Sequence, residues 1–247
     1  MPSLVMASKD SNRGAKRARE ARAALGLHPA ARLDCLLTVV EERAGLAVVV
    51  TALPDDIAGA CYRDGEGAML WVNGSAAQGH VRRRFTLAHE LGHAWCEHDG
   101  ALDIDTFATL NGGTTSPYEV QANAFAAEFL VPRASLDEVV TREPTLEDTV
   151  VIAAHHGVSA IMVVYRFKQL GLATDRRVEQ LGQEIASRLH FDVYDDLELQ
   201  PLDDRLGAIE HLPYLSPALD GTALAAGLRG DAAVGVRVTD AIDRLLG

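Results

Sequence analysis

The chain reads as an α+β protein, a small β-sheet with helices packed against it. Two observations predict this. Short apolar runs separated by turn signals occupy residues 46–73, and capped segments of helical periodicity follow from about residue 79 to 170. "PAARLDCLLTVVEERAG", residues 29–45, places Pro29 in a first turn and Gly45 after the last, as a helix does. "LAVVVTAL" is then a short apolar strand, and "IAGACYR" and "AMLWVN" are two more. The intervening "DGEG" is a turn signal that makes a hairpin of the last two, and Asn73-Gly74 closes the sheet. Helices are expected at about 79–98, at about 117–130, in a short stretch begun by Pro132, and at about 145–156 and 159–170.

Bulk composition narrows the class. A chain of 247 residues, 48% hydrophobic and 23% charged, can bury a core without staples. Its three scattered cysteines, Cys35, Cys61 and Cys96, form neither a CxxC pair nor an even disulfide framework, which points to a reducing, cytoplasmic setting. No run reaches the roughly 18 apolar residues a membrane helix needs, so no membrane partner is expected. A formal net charge of −12 argues against a general nucleic-acid binder, because phosphate affinity comes from lysine and arginine. The exception is local: Lys9, Arg13, Lys16, Arg17, Arg19 and Arg22 crowd residues 9–22. Residues 1–28 are therefore expected to be a flexible basic arm or a frayed helix, with a docking arm for an acidic partner as the sharper alternative.

The chemistry concentrates in "RRRFTLAHELGHAWCEH", residues 82–98. Positions i and i+4 of a helix share a face, so His89 and His93 can present two ring nitrogens to one ion. Glu90 stands about 100° further round, placed to reach a water on the open side of that ion. Phe85, Ala88, Leu91, Ala94 and Trp95 make the rest of the helix apolar, and a buried imidazole or carboxylate has to be satisfied by something. Random placement of the chain's histidines and glutamates gives about 0.02 HExxH matches, so the motif is suggestive without being decisive. His98, Cys96 and Asp99 follow closely and are expected at the surface of the helix end.

A catalytic zinc normally takes a third protein ligand, and the candidate is Glu119 in "SPYEVQANAFAAEFLVP". Its competing role is structural: Ser116, Pro117 and Glu119 have the spacing of a capping box. Asn123, four residues on, shares its face and can hold the second nitrogen of a metal histidine. Glu128 is a rival ligand, two and a half turns along, and Tyr118 a candidate for oxyanion stabilisation.

"RRRFTLAHELGH", "YEVQANAFAAEFLVP" and "AAHHGVSAIMVVYRFKQLGL", in this order across residues 29–172, resemble the ImmA/IrrE family of metallopeptidases. The resemblance implies a zincin-like core with zinc on His89, His93 and Glu119 and with Glu90 as catalytic base; manganese or iron suits such a ligand set too. It also implies a protein substrate, a helix-turn-helix transcriptional repressor, in mobile-element or stress-response regulation. Glu90 would take the proton of the attacking water and deliver it to the leaving amine. Two non-enzymatic alternatives stay open, a metal-containing module that sequesters a repressor and a DNA-binding regulator. Residues 147–170 have the outline of a helix-turn-helix, yet the second helix offers only Arg166 and Lys168 as cations, so packing beside the core is the expected role. His155 and His156, at a helix end, are expected to act as C-terminal capping cations. Beyond residue 172 the resemblance fades. "VEQLGQEIASRLH" is helical in pattern, "DVYDDLELQPLDD" is acidic, and a helix is expected near the end, in a C-terminal region, 173–247, of undefined role.

Overall fold

The protein is described by a computed structural model that covers residues 9–64, 67–75, 79–98, 102–113, 115–137, 141–200, 202, 206, 209 and 212–220. The elements, in chain order, are helices α1 (Lys9–Ala24) and α2 (Leu36–Thr38), the latter running on into a π turn (Val39–Arg43), then strands β1 (Ala47–Thr51), β2 (Ile57–Asp64) and β3 (Gly67–Asn73). Next come α3 (His80–Cys96), β4 (Leu102–Thr106), α4 (Phe107–Leu110), α5 (Pro117–Leu130) and α6 (Arg133–Leu136). Helices α7 (Leu146–His156), α8 (Ala160–Leu170), α9 (Asp175–Ala186) and α10 (Leu189–Asp196) follow, and β5 (Tyr214–Leu215) is the last strand described. The α+β class is as the sequence predicts. The helix expected from Pro29 begins only at Leu36, leaving Arg32 and Asp34 to pair with each other outside it.

The sheet runs β4-β2-β3-β1-β5. The β2–β3 hairpin is antiparallel, β3 lies parallel to β1, and β4 adds antiparallel to the outer edge of β2. Opposite β4 the register of β2 shifts between Ile57 and Gly59, a bulge that leaves Ala58 unmatched. One face of the sheet packs α3, and the side chains between them, Val48, Val50, Cys61, Leu70, Leu87 and Leu91, are almost wholly buried. Gly92 lets α3 lie close on α5, since a Cβ there would stand 3.2 Å from Ala122 Cα and from Phe125. The central helix pair is therefore held at backbone-to-backbone distance.

The expectation of a flexible basic arm does not hold for residues 9–24. They form α1, which packs along α5 through Gly14, Ala15, Ala18 and Ala21, all buried. Small residues at these positions create an apolar seam that the cation-rich sequence disguises. Arg22 itself is buried and donates to the carbonyls of Phe129, His28 and Ala31, so one of the six cations is a structural staple. Residues 1–8 lie outside the described part.

The 147–170 unit is helix, turn, helix, with α7 and α8 meeting at 108°. One of its two candidate cations is spent inside the protein: Arg166 is buried against the carboxylate of Glu128 and donates to Val131 O at 3.0 Å. Lys168 stands 3.5 Å from Asp175. His156 is buried rather than exposed as a capping cation, and burial together with the neighbouring His155 pushes its pKa down to about 3. Helix α9 packs on α8 and α10 on α7, while Tyr214–Leu215 extend the sheet beside β1, so α9, α10 and β5 add to the same body. The expected C-terminal helix falls outside the described residues. Among the described residues no single helix is long and apolar enough to cross a membrane.

Candidate metal centre

Helix α3 presents His89 and His93 inward, and both are fully buried. Their Nε2 atoms face each other at 3.0 Å. From α5, Glu119 Oε2 reaches to 3.2 Å from His89 Nε2 and 3.5 Å from His93 Nε2. Ser116 makes no side-chain capping bond at the start of that helix, and Glu119 is turned to the histidines instead of the helix end. From β4 comes a residue absent from the sequence reading, Asp105, whose Oδ2 lies 3.3 and 3.4 Å from the same two nitrogens. The four donor atoms lie within 4.8 Å of one another.

These spacings fit an ion. Donors about 2.0–2.1 Å from one zinc stand about 3.3 Å apart at the tetrahedral angle, close to the 3.0–3.5 Å between the two histidine nitrogens and from each of them to the two carboxylates. Two imidazole nitrogens facing each other at 3.0 Å otherwise demand that one carry a proton toward the other. Glu119 Oε2, Asp105 Oδ2 and both oxygens of Glu90 are buried without a hydrogen-bond partner, a concentration of orphaned acceptors that a cation satisfies. The electrostatics agree. Burial pushes the His89 pKa down, but the facing carboxylates of Asp105 and Glu119 outweigh it and raise the value to about 10. Burial likewise opposes ionisation of Glu119, yet His89 and His93 hold its carboxyl well below the usual carboxylate range. A pocket that holds a proton so firmly is one that attracts a cation.

Each histidine is oriented through its second nitrogen. His89 Nδ1 lies 3.1 Å from Asn123 Oδ1, and Asn123 Nδ2 donates to Thr109 O at 3.0 Å, which fixes the amide's orientation. His93 Nδ1 lies 2.9 Å from His98 Nδ1. His98 was expected at the surface and is instead 5% exposed. The reason is local: Glu97 adopts the left-handed conformation, φ 53°, and His98 N bonds back to His93 O, so the chain reverses and returns the ring to the helix. Burial and His93 push the His98 pKa down to about 4, leaving it a neutral acceptor for the His93 N–H. Tyr118 stacks on His98 at 4.7 Å between centroids. Cys96 is buried, and Asp99 lies outside the described residues.

Glu90 is fully buried under the sheet. Burial first, and the Asp105 charge second, raise its pKa well above the usual carboxylate value. It fits there because β2 carries glycine: a Cβ on Gly59 would stand 2.6 Å from Glu90 Oε1. Glu128, the rival ligand, faces away from this centre. It pairs with Arg166, lies 3.5 Å from Arg19 and accepts from Arg133 N. The signal for Asp105 was the alternation in "LDIDTF", apolar and acidic by turns, which is the two-residue period of a strand. Asp103 and Asp105 thus share one side of β4. Asp103 bonds Arg63, whose Nη1 also donates to His93 O.

Next to the centre, between α3, α5 and α8, lies a cleft of about 770 Å³ lined by Phe85, Val120, Met162 and Tyr165 among others, with Asn123 in its wall.

The model of a family described as IrrE N-terminal-like domain, Peptidase_M78, matches residues 41–168, just over half of the chain. The matched span contains β1 to β4 and α3 to α5, so every donor atom described above lies within it. The chain is also similar to "Uncharacterized immunity region protein 2" of Bacillus phage phi105, 32% identical over 113 residues that make up 46% of this chain and 67% of the phage protein. With the sheet, the HExxH helix and the converging donors all inside the matched region, the chain belongs to the Peptidase_M78 family of IrrE N-terminal-like domains.

Proposed function

We propose that this protein is a metal-dependent endopeptidase that cuts a helix-turn-helix repressor, with zinc as the cofactor, in the control of a mobile element or a stress response. The observation that carries the reading is the convergence of His89 Nε2, His93 Nε2 and Glu119 Oε2 within 3.0–3.5 Å of one another. An orphaned buried glutamate, Glu90, lies at the next position of the same helix. In this reading those three residues hold the ion, for which manganese or iron are alternatives. When bound, the ion supplies Lewis acidity at neutral pH. Its charge also reverses the effect of burial on Glu90, favouring the carboxylate. Glu90 then takes the proton of the attacking water and returns it to the leaving amine nitrogen. Asn123 and His98 keep the two imidazoles in register, and Tyr118, stacked on His98, is the candidate for steadying the developing oxyanion.

The substrate assignment draws on the family and on the similarity to a phage protein described as an immunity region protein. We place the protein in the cytoplasm, where its three free cysteines would stay reduced. The metallopeptidase unit is assigned to residues 29–172, with α1 covering it and 173–247 as an accessory region.

The test is to mix metal-loaded wild type and Glu90→Gln protein with the helix-turn-helix repressor encoded beside the gene. Cleavage by the wild type alone is expected. Equal cleavage by both proteins would remove Glu90 from its role. One observation favours a second reading, a metal-containing module that sequesters its partner uncut: Asp105 supplies a fourth donor, and closed four-ligand sites are the structural kind. Stable complex formation without cleavage under the same conditions would select it.

A further inference from the structure

We infer that Asp105 is a fourth protein ligand which closes the metal centre at rest, and that docking of the protein substrate opens it by displacing the β4–α4 segment. This rests on the metal-centre reading proposed above and specifies how the site is regulated. Asp105 is 1% exposed, and its Oδ2 has no hydrogen-bond partner although it lies 3.3 and 3.4 Å from the two histidine nitrogens. Glu119 stands 3.2 and 3.5 Å from the same nitrogens, so geometry does not rank one carboxylate above the other as a donor. Two imidazoles and two carboxylates are enough donors for a four-coordinate centre, and a catalytic centre needs a free position.

The backbone is built to aim this side chain and also to release it. Asp105 pairs with Gly59 beside the bulge at Ala58, and bulges re-aim the side chains opposite them. Strand β4 is the outer strand, pairing with β2 alone among the described residues. Thr106, the next residue, accepts from Thr109 N and so starts α4 directly. Thr109 O is the acceptor that holds Asn123, which in turn holds His89. Moving this one short segment therefore withdraws a ligand and loosens the support of another, whereas α3 and α5 stay packed.

The experiment is metal binding and cobalt spectroscopy on the full chain, for wild type and for the Asp105→Asn, Asp103→Asn and Glu119→Gln variants. Zinc affinity is measured by competition with a chromogenic chelator, and azide is titrated into each cobalt-loaded protein. A wild-type visible spectrum that azide does not change is expected. Asp105→Asn should bind zinc at least roughly tenfold more weakly, by analogy with the loss of groups that merely support a ligand, and its cobalt spectrum should respond to azide. Asp103→Asn should keep the azide insensitivity, which separates lost coordination from a general loss of negative charge. A wild-type spectrum that azide shifts overturns the closed centre while leaving the metal reading intact. Unchanged affinity in Asp105→Asn overturns it as well. Wild type that takes up neither metal overturns the reading of the centre itself. The wild-type titration needs no variant, so it decides the closed centre even where Asp105→Asn does not fold.

Discussion

Replacing Glu128 by alanine separates the two roles a buried carboxylate can have in this fold. Its side chain is 1% exposed and pairs with Arg166, itself 1% exposed, while Arg19 approaches to 3.5 Å from the surface. Truncation leaves the Arg166 guanidinium buried with Val131 O and Gln169 Oε1 as acceptors and no countercharge. Breaking one partner of a buried ion pair costs about 3–5 kcal/mol. For a chain of this size each kcal/mol lowers the midpoint by about 2–4 °C, so a fall of roughly 6–20 °C is expected in thermal unfolding followed by circular dichroism. Zinc stoichiometry, measured on the folded variant, should be unchanged, because no donor of the centre is touched. Replacing both partners by apolar residues of similar size, Glu128→Leu with Arg166→Met, should recover much of the loss, since the desolvation of both charges is then avoided. A Glu128→Ala protein that kept its midpoint but lost its metal would refute the reasoning and restore Glu128 as a ligand.

Other outcomes follow from the same geometry. Asn123→Ala removes the group on His89 Nδ1, and zinc affinity in a chelator competition should fall roughly 10- to 100-fold with the fold intact. Gly59→Ala drives a Cβ to 2.6 Å from both Glu90 Oε1 and Trp71 O, so it should cost about 1–3 kcal/mol in urea unfolding and shift Glu90; a neutral effect would mean that the helix is not seated as described. Gly14→Ala would set a Cβ 2.1 Å from Gln121 O, and because backbone cannot swing aside, α1 should detach and expose residues 9–24 to proteolysis. His156 is buried with its pKa lowered to about 3, chiefly by burial, so the folded state binds its proton later than the unfolded chain does. The stability it contributes is present above the unfolded value of about 6.5 and is lost as pH falls toward 3. His156→Met should flatten that acid limb in unfolding measured between pH 7 and 4, and an unchanged slope would place the sensitivity elsewhere.

Much of the centre was legible because its spacing is helical. His89 and His93 converge through the four-residue repeat of α3 alone, and Glu119 and Asn123 share a face of α5 for the same reason. The hairpin was legible from the "DGEG" turn signal between two short apolar runs. Asp105 was not, although "LDIDTF" carried a strand's period, because five residues after a helix read as a connection until they pair with β2. His98 was misplaced for a related reason: a left-handed residue at Glu97 turns the chain inward, and nothing in the residue type announces that conformation. The basic character of residues 9–22 hid the small-residue seam of α1, whose value depends entirely on α5 lying beside it.

The sequence by itself determined the α+β class, the two helices that carry the HExxH histidines and Glu119, and the absence of an even disulfide framework. These depend on interactions between residues a few positions apart, where the period of the backbone does the positioning. Only the tertiary structure decided that a fourth donor enters from β4, that Glu128 and Arg166 are joined in the interior, and that Glu90 rests against a glycine of β2. Each of those joins elements that are distant in sequence. A buried charge acquires its role from whichever partner folding places within about 4 Å of it, and no local pattern encodes that distance.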